Sequence, residues 1–131
     1  MKRTTPANIT QLRPNEVFVF GSNTKGIHGS GAARTAQVRF GAKRGLGEGF
    51  SGQSYAFPTL SADSRRGFHL EKRTDDELIE SANKFLDFAE AHPEMTFLLT
   101  KVGCGLAGYP EEDMKALFDN TPPNVVKPEG W

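Results

Sequence analysis

The sequence predicts an α/β fold, and three stretches carry the prediction. In the first, an apolar run, Thr96-Phe97-Leu98-Leu99-Thr100, leads into the glycine-rich Lys101-Val102-Gly103-Cys104-Gly105-Leu106-Ala107-Gly108-Tyr109-Pro110, and a helical pattern over residues 111–118 leads out of it. The second has the same layout: a strand pattern over 16–20, a glycine-rich loop over 21–31, and a helix over 32–40. The third is an amphipathic helix announced by a capping box at Thr74 and Glu77. Two strand–loop–helix units can set two loops side by side at the carboxyl edge of one sheet, where α/β folds bind ligands, phosphorylated ones among them. Glycines free such loops to take positive φ and to approach a ligand closely, and bared backbone N–H groups can hold phosphate oxygens.

A chain of 131 residues suits one domain (residues 1–131), long enough to bury a substantial core. Apolar content of 37% and charged content of 24% match a soluble globular protein, and no apolar run approaches a membrane span. No apolar segment follows Met1-Lys2-Arg3, so no signal peptide is expected. Cys104 is the single cysteine, which excludes an internal disulfide and a cysteine-based zinc cage and suits a reducing cytoplasm. Neither a metal nor a cofactor is expected. Net charge is zero but unevenly spread. Through Arg73, 12 lysines and arginines face 4 acids, and from Thr74 on, 4 face 12. A coat of nucleic acid is disfavoured at zero net charge, while a local basic wall facing a small anion stays open, as does a meeting of the two halves across the fold.

In chain order, residues 1–15 are polar with two prolines and read as an arm or short edge strand. Residues 16–20 are apolar on both faces, as in a central strand. In the first loop, Asn23 suits either an Asx turn or a ligand hydroxyl, and His28 either a plain loop position or an acid–base role. Ala33, Ala36 and Phe40 form the apolar stripe of the next helix, whose start carries partial positive charge. Residues 41–52 hold five glycines and read as a long mobile connection or a wall of the pocket; without a G-K-S or G-K-T sequence they are no Walker loop. Residues 53–59 form a short strand ended by Pro58, and 60–72 a surface loop in which Arg65 and Arg66 either meet a diphosphate or stay solvated. Leu78, Ile79, Ala82, Phe85, Leu86 and Ala89 line the core side of the capped helix, which His92-Pro93 ends. Met114, Leu117 and Phe118 face the core from the last helix. Residues 124–127 form a final edge strand, and Trp131 packs on the body.

Gly103-Cys104-Gly105-Leu106-Ala107-Gly108-Tyr109, between an apolar strand and a helix, resembles the second phosphate loop of macrodomains, closest to the subgroup of terminal ADP-ribose glycohydrolase and the ADP-ribose 1″-phosphate phosphatases. His28-Gly29-Ser30-Gly31-Ala32-Ala33, running on to Phe40-Gly41, resembles that subgroup's first ligand loop and helix. The chain is also similar to small macro-like proteins of phage genomes, which share a strand ending F-G-S-N and a later G-C-G-L-A-G. The likeness spans about residues 16–126.

The resemblance implies a three-layer fold, a mixed central sheet with helices on both faces. It implies binding of ADP-ribose or a related NAD-derived nucleotide, cyclic or signalling forms included, and its sequestration or degradation during infection. It implies that Gly21, Ser22 and Asn23 end the first core strand at the site. Gly29, Ser30, Gly31 and Ala32 would face the diphosphate and distal ribose together with His28. Gly103, Cys104, Gly105, Leu106, Ala107 and Gly108 would cradle the phosphates from the other side. Tyr109 would stack near the distal ribose, with Thr59 and Arg65 completing the ligand-binding set. The subgroup's catalytic aspartate is replaced by Ala107, and its catalytic lysine falls where this chain has Thr59-Leu60-Ser61. Binding without turnover is therefore the first expectation, with an ADP-ribose-like small molecule as partner and no membrane. The alternative is a hydrolase of ADP-ribosyl linkages or of ADP-ribose 1″-phosphate, with Asn23 and His28 as catalytic candidates. The third reading is an RNA- or protein-binding module using the basic half.

Overall fold

The structure, a computed structural model, describes residues 3–29, 31–63 and 69–131. Arg65, Arg66 and Ser30 lie outside the described residues. The elements in order are β1 (Thr4–Thr5), β2 (Glu16–Asn23), α1 (Gly31–Arg39), β3 (Gly49–Ser51), β4 (Ser54–Asp63), β5 (His69–Lys72), α2 (Asp75–Ala91), β6 (Thr96–Leu99), α3 (Glu111–Ala116) and β7 (Val125–Pro128). The fold is α/β. Among the described residues, seven strands form one mixed sheet in the order β1-β7-β6-β2-β4-β3, with β5 also paired to β4. β1, β7, β6, β2 and β4 run parallel, while β3 and β5 pair with β4 antiparallel.

β2 is the central strand, and its sequence explains the place. Val17 and Val19 join one hydrophobic cluster, Phe18 and Phe20 another. Side chains alternate across a strand, so an unbroken apolar run is stable only where both faces are covered. Leu78, Ala82, Phe85 and Ala89 of α2 and Met114 of α3 fill the first cluster, and Ala36 of α1 sits in the second. Phe85 anchors the first cluster through edge-on contacts with Tyr55, Phe97 and Phe118. At the start of β2, burial pushes the Glu16 carboxyl upward in pKa, but the Arg13 N–H and the Arg3 guanidinium 2.6 Å away outweigh it and hold the group below its ordinary value.

Several expectations need correction. The first strand does not end at Phe20 but runs through Asn23, because β4 pairs with it that far. Pro58 does not end its strand. It falls between the stretch of β4 paired with β3 and the stretch paired with β5, a gap where no neighbour on that side needs an N–H from it. Residues 60–63 and 69–72 form strands rather than a surface loop. β7 is not an edge, since β1 flanks it outside. Ile79 is 47% exposed, and Ser81 takes the buried place on that side of α2. Residues 41–52 include β3 and pack behind the first loop: a Cβ on Gly26 would come within 2.4 Å of Leu46 N, and one on Gly47 within 2.5 Å of Asn23 O. Such backbone-to-backbone packing excludes side chains at Gly26 and Gly47, while Gly45 and Gly49 take left-handed φ in open space.

The capping box at Thr74 and Glu77 is present in full. Thr74→Ala is expected to cost about 1 kcal/mol in denaturant unfolding, and Phe85→Ala about 3–5 kcal/mol. Ile79→Ala should stay within about 0.5 kcal/mol of the parent. A loss at Ile79 approaching that at Phe85 would contradict the packing described.

Candidate functional site

β2 and β6 are parallel neighbours, and the chain leaves them in opposite directions. From β2 it passes through α1 to β4 on one side, and from β6 through α3 to β7 on the other. A crevice opens at the carboxyl ends of two such strands. Here it is a cavity of about 500 Å³, within the range of small-molecule sites. Gly21, Ser22 and Asn23 line it from β2, and Ile27 and Gly29 from the first loop. Gly31, Ala32 and Ala33 contribute the start of α1, and Lys101, Val102, Gly103, Gly105, Leu106 and Ala107 the second loop. Thr59, Leu60, Leu70 and Thr100 complete the lining. The two loops touch at their roots: a Cβ on Gly21 would lie 3.4 Å from Gly103 N.

Gly103 differs from Gly29 and Gly105 among the glycines of this cavity. Gly103 has φ +78, and a Cβ there would meet Met114 and Tyr109 at 3.0 Å, so both backbone and packing require glycine. Gly29 and Gly105 lack left-handed φ, and a Cβ on either would meet nothing within 4 Å. Neither strain nor packing accounts for those two.

The polar side chains mostly serve the architecture. Asn23 Nδ2 donates to Ile27 O at 2.9 Å while its Oδ1 accepts from Ile27 N at 3.2 Å, closing the first loop on itself. Ser22 Oγ donates to Gly47 O, and Thr59 Oγ1 to Ser22 O at 3.3 Å. Thr59 is the extra residue of a bulge in β4 opposite Ser22 and Asn23, which turns it toward the cavity. Thr100 Oγ1 donates to Val19 O at 2.7 Å. The walls are largely aliphatic, and Ile27, Leu70 and Leu106 are exposed, Leu106 at 90%.

Four expected site residues stand elsewhere. His28 does not line the cavity. It is buried, edge-on to Phe20 at 5.2 Å, because the loop turns its ring into the core while flanking residues face the cavity. Burial lowers its pKa. The nearby Gln37 side chain pulls it partly back, although neither ring nitrogen has a hydrogen bond of ordinary geometry among the described residues. Tyr109 is a strut: its hydroxyl donates to Thr59 O at 2.7 Å and accepts from Arg73 N at 2.8 Å, tying the second loop to β4 and the head of α2. Gly108 is off the lining, its carbonyl accepting from Lys72 Nζ at 3.2 Å. Cys104 is also off the lining, with its Sγ 3.6 Å from Val102 O. Burial, then Glu111, push its thiol pKa up against Lys101, which opposes the thiolate a nucleophile needs. Lys101, Leu60, Leu70 and Thr100 were not expected at the site. The pairing of β4 with β2 and β5, invisible in periodicity, brings Leu60 and Leu70 there, while Thr100 and Lys101 stand at the root of the second loop.

No protein-family model, no curated protein and no solved structure matches the chain. No described helix is long and apolar enough to cross a membrane.

Gly103→Ala is expected to lower unfolding stability by more than about 1 kcal/mol, while Gly105→Ala stays within about 0.5 kcal/mol. Equal effects would refute the distinction between the two glycines. His28 binds its proton less readily folded than unfolded, so stability should fall as pH drops below the ordinary 6.5. Denaturant midpoints of the parent and His28→Phe across pH 7 to 5 check this, and the variant should lose that part of the acid sensitivity.

Proposed function

We propose that the chain is a macrodomain-like module that binds ADP-ribose or a related NAD-derived nucleotide without turning it over. One observation carries the reading: both glycine-rich loops and the start of α1 line a single cavity at the point where the chain departs β2 and β6 in opposite directions. A pyrophosphate bound there would take main-chain N–H groups from the two loops and the favourable end of the α1 dipole. The aliphatic walls suit the ribose and base on either side. Division of the helices' buried residues between two clusters supports the three-layer arrangement of this reading, with α1 on one face and α2 and α3 on the other.

Binding rather than turnover is favoured by what the candidate groups do. His28 is buried off the cavity, both ends of the Asn23 carboxamide are engaged by Ile27, and Ala107 and Thr59 stand where the resemblance to hydrolases implies charged groups. No described side chain in the lining is a carboxylate that could serve as a base.

Titration calorimetry with ADP-ribose should show saturable binding, and at 100 times Kd the ligand should add about 2.7 kcal/mol to unfolding stability. Gly105→Val and Gly29→Val should fold like the parent but bind at least about tenfold more weakly, because a branched side chain would occupy ligand space. Chromatography after prolonged incubation with ADP-ribose 1″-phosphate should return the ligand intact. Absence of heat and of a thermal shift with ADP-ribose overturns the reading, and product formation replaces it with the hydrolase.

A further inference from the structure

Lys101 is the only lysine, arginine or histidine among the described residues lining the cavity. It stands at the root of the second loop, and its side chain is 45% exposed. Its Nζ lies 3.0 Å from Oε1 of Glu111, the first residue of α3. The same oxygen accepts from Trp131 Nε1 at 2.9 Å, and the Trp131 ring stacks on Phe118, itself buried in the core. Glu111 is thus held from two sides, and the Lys101 and Trp131 donors keep its carboxyl below the ordinary pKa. Glu112 and Asp113 add further negative charge beside it.

An anion arriving at the second loop meets this acidic turn. Lys72 reaches the far end of the loop, where its Nζ lies 3.2 Å from Gly108 O, but Lys101 is the cation beside the acidic turn. With Lys101 the repulsion is masked, but by a cation already paired. Exposed ion pairs of this kind contribute little, since water competes for both partners. A phosphate oxygen already held by loop N–H groups offers the ammonium a stronger partner than a solvated carboxylate does. Four methylene groups give lysine the reach to exchange one for the other without moving backbone.

We propose that Lys101 is the side chain that reads charge on the ligand of this cavity, and that Glu111, braced by Trp131, is its internal competitor. The inference rests on the nucleotide reading above and adds what that reading lacks, a residue that favours a ligand carrying negative charge at the second loop over a neutral one. Lys101 leaves Glu111 for the ligand on binding. Glu111 keeps the lysine extended and prevents the empty site from presenting a bare cation.

Calorimetry of the parent, Lys101→Met, Glu111→Gln and the double variant against ADP-ribose, adenosine and inorganic pyrophosphate tests it. Lys101→Met should weaken ADP-ribose and pyrophosphate by about tenfold, as loss of a charge-assisted bond does, and leave adenosine unchanged. Its ADP-ribose affinity should also depend less on salt. Glu111→Gln should tighten both anions by about threefold, and that gain should vanish in the double variant. Both side chains are exposed, so thermal unfolding should move little in either variant. Equal ADP-ribose affinity in the parent and Lys101→Met overturns the inference while leaving the nucleotide reading intact, as does weakening by Glu111→Gln. Failure of the parent to bind ADP-ribose overturns the nucleotide reading. Pyrophosphate then decides Lys101: binding lost in Lys101→Met sustains its role as the anion contact, and no binding ends it.

Discussion

The parallel pairing of β2 with β6 is the contact on which the rest depends. Glu16 to Val19 lie opposite Thr96 to Leu99, a register that carries both strands to the same edge of the sheet. From there the chain can return to the sheet only by a crossover, and the two crossovers leave toward opposite sides. The cavity is the space between those departures. A shift of one residue in this register would turn Phe18 and Phe20 into the cluster that now holds Val17 and Val19, so burial on both faces holds the register in place.

Around that crevice, most polar groups are committed to construction. Asn23 closes the first loop, Tyr109 ties the second loop to β4, and Thr59 and Thr100 bond to carbonyls of β2. Backbone groups that would otherwise be costly to bury are satisfied this way, and the loops gain a defined shape before any ligand arrives. Among the described lining residues, what is not so committed is main-chain N–H, aliphatic surface and one paired lysine. That inventory suits the proposed nucleotide better than it suits proton-transfer chemistry, which needs a titratable group within reach of the reacting atom.

Exposed aliphatics sharpen the picture. Ile27, Leu70 and Leu106 come from three different segments, yet all border the same cavity. Scattered singly, such residues would mean little; gathered at one mouth they form an exposed apolar rim.

Much of the architecture was legible in residue order. Apolar runs at 16–20 and 96–100, glycine-dense turns after each, and the Thr74–Glu77 box specify strand, loop and capped helix through local rules, since period, φ freedom and end-capping each act within a few residues. The sequence by itself therefore determined the α/β alternation and the capped helix, but not every loop, since 21–23, 49–51, 60–63 and 69–72 all lie in strands. Tertiary structure alone decided that β4 continues past Pro58, because the missing N–H is harmless only where no neighbour lies on that side. It alone decided that His28 points inward, that Tyr109 is a strut and that Lys101 reaches the cavity, because a side chain's surroundings depend on strands far away in the chain. Local periodicity reports which face a residue prefers, while strand order and register decide what that face meets.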